Sequence, residues 1–296
     1  MPASYCGAVG FKPSVGCIPT AGVVPVSWTL DHIGPLAAHV VDVALGFAGM
    51  CGSLTPDHHA LRPRQELDQD ALAGLVIGDV RGWHDQGCEP AVHAARDAAV
   101  SRLLDLGAEV SPVELPHARL ATTAAWIITV CEFGSIHADQ RACTVDYTDA
   151  ALDRLTTGAV LSASDYIRAL RIRWMLQARF ARIFERFDLL LTPGAPMAAP
   201  RLSPDPDPVF FDGDRMWMQS VSRNFIGQNL IGGPALVVPA GVSDMPSRPV
   251  SVQLIGAHGA DDLVLSVASA LAASLDTPTM GGSVSATAAP PAGSGF

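Results

Sequence analysis

Several side chains near the start of the chain could supply nucleophilic chemistry. Lys12 is the only lysine among 296 residues, Ser4 precedes it, and Asp31 and His32 are adjacent in the sequence. A serine hydroxyl attacks an amide carbonyl only when a nearby base accepts its proton. A lysine can be that base when burial disfavours its charged form and lowers its pKa. These side chains are therefore the first candidates for a hydrolytic site.

The sequence around Lys12 forms part of a longer motif. Its segments are PASYCGAVGFKPS at 2–14, GVVP at 22–25 and TLDHIGP at 29–35. In this order they closely resemble the amidase-signature family, the serine hydrolases and amidotransferase subunits that cleave linear carboxamides. Three further segments match in the family's order and extend the resemblance to about residue 275; they lie at 74–110, 187–200 and 229–241.

The resemblance implies a Ser-cisSer-Lys triad: a nucleophilic serine in a Gly-Gly-Ser segment, a second serine in a cis peptide and an activating lysine. Placed against the motif, all three residues lie upstream of Met1, as do the backbone donors that would stabilise the oxyanion. Lys12 lies downstream of the nucleophile, so its position excludes it from the lysine role. Ser4 is interpreted as structural, and Asp31 and His32 as loop hydrogen-bonding residues. We therefore expect no catalytic residue in this chain and no amide hydrolysis by the chain alone.

Substrate-binding residues, in contrast, are predicted within the chain. Thr192, Gln228 and Asn229 stand on segments that approach the substrate cleft in the family. Loops at strand ends commonly carry ligand contacts, which agrees with that placement. The resemblance implies that the complete protein takes a small-molecule amide as its substrate. Nothing in the sequence indicates which amide.

The pattern of apolar residues predicts an α/β protein. A short apolar run bounded by glycines at 74–78 suits a buried strand, Glu89 and Pro90 begin a helix, and extended structure resumes at 108–110. A strand, a helix and a strand at this spacing form a βαβ unit, so part of the sheet is parallel. The resemblance implies an amidase-signature fold, a mixed, mostly parallel sheet flanked by helices, with the N-terminal part missing from this chain.

Hydrophobic periodicity predicts the remaining elements. Helices are predicted at 36–50, 120–138, 164–187 and 261–275, and strands at 189–191, 235–238 and 250–255. Ile167 and Trp174 are expected on the inner face of the helix at 164–187. One partial amidase-signature domain is expected over 1–277. A disordered tail rich in Gly, Ser, Ala and Pro is expected over 278–296.

Composition narrows the class of function. Hydrophobic residues make up 49% of the chain and charged residues 16%, as in soluble globular proteins. A formal net charge of −10 opposes binding to phosphate backbones, so no nucleic-acid partner is expected. The apolar stretches are shorter than the roughly 20 residues of a membrane-spanning helix, so no membrane partner is expected.

Cysteine and histidine spacing argues against a metal site. The six cysteines include no Cys-x-x-Cys pair, and the adjacent His58 and His59 point in different directions in most backbones. No metal and no cofactor is predicted. Scattered cysteines in a long chain without a signal peptide indicate the cytoplasm as the compartment.

Three interpretations of the chain stay open. It is an amidase whose recorded sequence starts late, a non-catalytic truncated remnant, or a protein similar to the A subunit of a glutamine-dependent amidotransferase. An in-frame upstream segment containing Gly-Gly-Ser and a lysine would favour the first, a frameshift or stop codon the second, and neighbouring amidotransferase genes the third. A homodimer is compatible with all three.

Overall fold

The computed structural model describes residues 1–52, 70–138, 147–199, 215–243 and 248–275, with the backbone alone for 215–221. The helices in these ranges are α1 (Pro2–Cys6), α2 (Val40–Met50), α3 (Pro90–Asp105), α4 (Arg119–Ile136), α5 (Asp149–Val160), α6 (Ala163–Ile183), α7 (Arg215–Ile231) and α8 (Asp261–Ser274). The strands are β1 (Val9–Lys12), β2 (Leu36–Ala37), β3 (Val76–Arg81), β4 (Glu109–Glu114), β5 (Leu189–Pro193), β6 (Ala235–Val242) and β7 (Pro249–Gly256). The predicted tail at 278–296 and the pair His58 and His59 lie outside the described residues.

The described strands form one seven-stranded mixed sheet in the order β2-β1-β6-β7-β5-β3-β4. This confirms the α/β class and the mixed sheet. The expectation of a mostly parallel sheet is wrong for these strands, because β3 pairs in parallel with β4 and β5 while the other four pairings are antiparallel. One reason is the length of the connections: a parallel pair needs a crossover of a dozen or more residues, whereas β6 ends at Val242 and its antiparallel partner β7 begins at Pro249.

The predicted βαβ unit is confirmed as β3, α3 and β4. Glu89 occupies the N-cap of α3 with Pro90 in its first turn, and Gly107 follows the helix with a φ of 90°. Gly78 lets the neighbouring strands approach, since a Cβ there would lie 2.7 Å from side-chain atoms of both Leu190 and Val113. β5 also pairs in parallel with β3, so the carboxyl ends of these two strands lie at the same end of the sheet.

Helices cover both faces of the sheet. One core lies between the sheet and α2, α3 and α8, and includes the fully buried Leu103, Leu254 and Val264. A second cluster joins α4, α6 and α7 through Ile128, Leu176 and related residues. None of the described helices is long and apolar enough to cross a membrane.

Two local predictions are wrong. Leu36 lies in β2, where it pairs with Gly10 of β1, and the following helix begins only at Val40. On α6, Ile167 and Trp174 are 56% and 73% exposed, so they do not form the inner face. The buried side is marked by residues two positions later in the helix, which corresponds to a rotation of about 200° around its axis; its buried members are Ala169, Leu176 and Phe180.

Candidate functional site

The candidate site lies where β5 ends. Thr192 is fully buried in β5, and Gln253 lies directly opposite it on antiparallel β7. The Gln253 Nε2 donates to the Thr192 Oγ1 at 3.1 Å and to the backbone carbonyl of Asn224 at 2.8 Å. The predicted binding residue Thr192 is thus held to helix α7 through one amide side chain.

Asn224 joins three backbone segments at the end of β5. It is fully buried, and its Nδ2 lies 3.2 Å from the Pro193 carbonyl, 2.9 Å from the Gly194 carbonyl and 3.2 Å from the His84 carbonyl. An amide NH₂ has two protons, so three acceptors use it fully. The side chain therefore fixes the turn after β5 against the turn after β3. The sequence prediction did not include Asn224; its signal was a pair of amides, Asn224 and Gln228, one helical turn apart.

Gln228 and Asn229 point to different surroundings. Gln228 is 2% exposed, and its Oε1 has no hydrogen-bond partner among the described residues. Asn229 instead donates from Nδ2 to the Leu30 carbonyl at 3.0 Å. Successive residues of a helix are separated by about 100°, which explains the divergence. The structure places Thr192 in β5 and Asn229 against the loop that contains Leu30, while Gln228 is buried on α7 one helical turn after Asn224.

Helix α1 packs against the end of β5 through Ser4. The Ser4 and Ser251 hydroxyl oxygens lie 2.5 Å apart, and the backbone N–H of Ala195 donates to the Ser4 Oγ at 3.2 Å. Gly194 is required here, because a Cβ would lie 2.1 Å from the Ser251 Oγ. These contacts agree with the structural interpretation of Ser4 and place the start of α1 beside the end of β5.

The loop before β2 is held by its own hydrogen bonds. The Asp31 carboxylate accepts from the backbone N–H groups of Val26 at 2.8 Å and Ser27 at 3.0 Å. The His32 Nδ1 lies 2.8 Å from the Leu30 carbonyl. Burial lowers the pKa of His32 to about 4, so its ring is neutral at pH 7. The predicted loop hydrogen bonds of Asp31 and His32 are present, and that neither residue acts in catalysis stays a prediction.

Glu132 anchors that loop to helix α4. Its carboxylate accepts from the Ser27 Oγ at 2.6 Å, from the Thr29 Oγ1 at 2.8 Å and backbone N–H at 3.1 Å, and from the Tyr166 hydroxyl at 2.8 Å. Burial acts to raise the pKa of Glu132, but these hydrogen bonds outweigh it and hold the pKa below its ordinary value. The sequence signal was an acidic residue in an otherwise apolar stretch of α4, and sequence reasoning missed it.

Lys12 does not contact Ser4 through any described hydrogen bond. Its Nζ donates to the Pro13 carbonyl at 2.8 Å, and burial lowers its pKa to about 8. Ser14, two residues further along, donates from its Oγ to Asp261 at 2.5 Å. Lys12 therefore lies where the end of β1 approaches the start of α8, and its contacts there are structural. Across the described ranges, no group of three or more His, Cys, Asp or Glu side chains could hold a metal ion.

Comparisons with known proteins agree with this architecture. A sequence model of the family named Amidase matches residues 1–265. The chain is 32% identical over 272 residues to the AtzE subunit of 1-carboxybiuret hydrolase from Pseudomonas sp. (strain ADP), covering 90% of this chain and 58% of that protein. It is 30% identical over 304 residues to the A subunit of the glutamyl-tRNA(Gln) amidotransferase from Fusobacterium nucleatum, covering 91% and 60%.

A solved structure shows the same fold. It is described as an unexpected vestigial protein complex that reveals the evolutionary origins of an s-triazine catabolic enzyme, and it matches with a TM-score of 0.75 and 29% identity. The match covers 91% of this chain and 59% of that one. The chain thus spans about three fifths of the length of the relatives it matches.

Proposed function

Because the chain belongs to the amidase family, we propose that it forms the substrate-facing part of an enzyme that hydrolyses the C–N bond of a linear carboxamide. In this proposal a Ser-cisSer-Lys triad from the family's upstream segment performs the chemistry. The serine attacks the carbonyl carbon, and the lysine accepts its proton through the second serine. The proton then passes back through the second serine to the amide nitrogen, which leaves as the amine when the C–N bond breaks; water next cleaves the acyl–serine ester, which releases the acid and restores the serine.

The observation that carries this proposal is the contact between α1 and the end of β5. In the family the Gly-Gly-Ser segment lies immediately before the residues that match Pro2. A nucleophile at that position would enter the structure beside Ser4, whose hydroxyl accepts from Ala195. The turn after β5, which Asn224 holds in place, would then lie next to the reacting carbonyl.

Gln228 is the best candidate for direct substrate contact among the three predicted residues. Its buried, unpaired Oε1 can accept an N–H from an amide, and a buried acceptor without a partner costs about 1–3 kcal/mol. Thr192 already accepts from Gln253, and Asn229 already donates to Leu30, so both are better suited to holding the cleft in shape.

We further propose that the 296-residue chain alone does not turn over amides. In a serine protease, loss of the whole triad leaves only about 10³–10⁴-fold catalysis over water, from the oxyanion hole and binding. Here the proposed oxyanion donors also belong to the upstream segment. Activity should therefore be near background.

The test compares two lengths of the protein on acetamide, benzamide and a broader amide panel. The 296-residue chain should be inactive, and a protein extended through the in-frame upstream sequence should hydrolyse at least one amide. A serine-directed covalent probe should label the serine of the restored Gly-Gly-Ser and leave Ser4 unlabelled. Replacement of that serine should abolish turnover.

Two results would contradict the proposal. Turnover by the 296-residue chain that survives removal of contaminating hydrolases would overturn the proposed inactivity. A folded, extended protein that is inert on the whole panel, or an upstream sequence without the segment, would favour the truncated remnant. In the active protein, Gln228→Leu should raise KM more than it lowers kcat, whereas Gln177→Leu, at a side chain whose described hydrogen bonds go to the Leu230 and Ile231 carbonyls, should leave both constants little changed.

A second candidate function is that of the glutamine-hydrolysing component of an amidotransferase. The supporting observation is the 30% identity, over 91% of the chain, to the A subunit of a glutamyl-tRNA(Gln) amidotransferase. In this case the substrate would be glutamine, and the protein would act within a complex. Glutaminase activity that depends on partner proteins, together with neighbouring genes for those partners, would support it over the first candidate.

A further inference from the structure

A cavity opens at the carboxyl end of β3. Its volume is about 520 Å³, and it is lined by Gly82, Trp83, Asp85, Gln86 and Arg119. Small-molecule sites in proteins commonly enclose about 300–1,000 Å³. The cavity is separate from the hydrogen bonds around Asn224. The two regions are connected by the His84 carbonyl, which accepts from Asn224 and lies next to the lining residues Trp83 and Asp85 in the chain. None of its lining residues has a role in the proposed hydrolysis.

Two of the acidic side chains near the cavity, Asp79 and Asp85, lie in ion pairs, and a third, Glu114, lies beside Gly82. Asp79 lies 2.5 Å from the Arg81 Nη2 and 3.6 Å from the Arg96 Nη1. The Asp85 Oδ1 lies 3.4 Å from the Arg96 Nη1 and 3.2 Å from the His93 Nδ1. Arg96 also lies 2.6 Å from Asp97, so Arg81 and Arg96 offset only part of the charge of these carboxylates.

Two arginines near the cavity have no acidic partner within the described ranges. Arg223 is 8% exposed; its Nη2 donates to the Gln86 carbonyl and lies 3.7 Å from the Cys88 Sγ, and its Nε has no hydrogen-bond partner. Its guanidinium carbon lies 5.4 Å from the centre of the Trp83 ring. Arg119 lines the cavity and forms no described ion pair. The charges around the cavity are close to balance, but Arg119, Arg223 and the Trp83 Nε1, which has no hydrogen-bond partner among the described residues, leave unpaired donors beside a flat indole wall.

We propose that this cavity binds a small organic carboxylate. The carboxylate contacts the Arg119 guanidinium, which can donate two parallel hydrogen bonds, and the apolar body of the ligand lies against Trp83. The charge of Arg223 behind the indole adds to the attraction for an anion. Binding requires no triad, so this proposal and the proposed amide hydrolysis can be tested separately.

The probe for this site is benzoate, with benzamide as its uncharged counterpart. Titration of the 296-residue chain, followed by calorimetry and tryptophan fluorescence, should show benzoate binding that weakens with added salt. Benzamide should bind at least about tenfold more weakly, as expected when a charge-assisted hydrogen bond is lost. Equal affinity for the two compounds would overturn the proposal.

Variants locate the site. Arg119→Gln should weaken benzoate binding by about tenfold or more, while Arg171→Gln, at an exposed arginine on α6, should not change it. Asp85→Asn should tighten binding, because it removes a negative charge from the cavity wall. Circular dichroism establishes that each variant is folded. Unchanged binding in Arg119→Gln, or weaker binding in Asp85→Asn, would overturn the assignment.

Discussion

Replacing Glu132 with glutamine is expected to destabilise the protein by detaching the loop around Thr29. The carboxylate is 3% exposed and accepts four hydrogen bonds, two from Thr29 and one each from Ser27 and Tyr166. Glutamine keeps one carbonyl oxygen and introduces an NH₂ group where the other oxygen accepted. The amide oxygen can still accept from the Thr29 backbone N–H and the Ser27 hydroxyl, while the NH₂ faces the Thr29 and Tyr166 hydroxyls, which lose their acceptor.

The magnitude follows from the number of bonds lost. A hydrogen bond to a charged group contributes about 1.5–3 kcal/mol when it is measured singly, and bonds that share one carboxylate are not additive. Glutamine can retain the bonds on one oxygen and loses those on the other. The expected decrease in the free energy of unfolding is therefore about 2–4 kcal/mol, with an unchanged urea dependence.

The assay is urea denaturation at pH 7 followed by far-UV circular dichroism. Glu109→Gln, at an exposed carboxylate on β4, is the matched control and should change the free energy of unfolding by less than about 0.5 kcal/mol. A decrease of less than about 1 kcal/mol in the Glu132→Gln variant would refute the proposed role of the anchor.

The pH dependence gives a second measurement of the same anchor. Because the folded-state pKa of Glu132 is lowered, its contribution is present above the ordinary carboxyl pKa and is lost as the pH falls through the folded-state value. The difference between wild type and Glu132→Gln should accordingly shrink in acid. A difference that stays constant down to the lowest pH at which both proteins fold would contradict this assignment.

Three further perturbations probe the packing around the site. Gly158→Ala should lower the melting temperature, because a Cβ there would lie 2.1 Å from the Val130 carbonyl oxygen, and overpacking of this kind costs about 1–3 kcal/mol or more. Burial lowers the pKa of His84 to about 4, so stability should fall by up to about 3 kcal/mol as the pH drops from 6.5 to 4, and His84→Asn should flatten that dependence in urea titrations. Ser4→Ala should cost about 1–3 kcal/mol, and combining it with Ser251→Ala should cost less than the sum of the two single changes in a double-mutant cycle.

Each of these perturbations has a matched control. Gly49→Ala adds a methyl group to a helix where no atom lies within 4 Å, and it should be neutral or stabilising. His39→Asn alters an exposed histidine and should leave the pH dependence unchanged. Ser164→Ala removes an exposed hydroxyl on α6 and should have little effect. A control as destabilising as its test variant would remove the structural explanation given for that variant.

The sequence alone determined the family, the α/β class and the βαβ unit. These follow from local signals: the ordered motif from Pro2 to Pro35, the N-cap and proline at Glu89 and Pro90, and short apolar runs that can only be buried strands. It also predicted that Asp31 and His32 serve the loop rather than a triad, because no nucleophilic serine is placed beside them. The substrate-binding roles of Thr192, Gln228 and Asn229 stay predictions.

Only the tertiary structure decided which way the strands pair, which face of α6 is buried, and how the candidate site is held together. Periodicity predicted that Trp174 lies on the inner face of α6, but contact with α4 and α7 buries Leu176 and leaves Trp174 exposed. Asn224 and Glu132 each bind groups that are distant in the sequence, such as His84 and Thr29. The acceptors and donors that give such polar side chains their roles are assembled only when the chain folds, so no local pattern could reveal them.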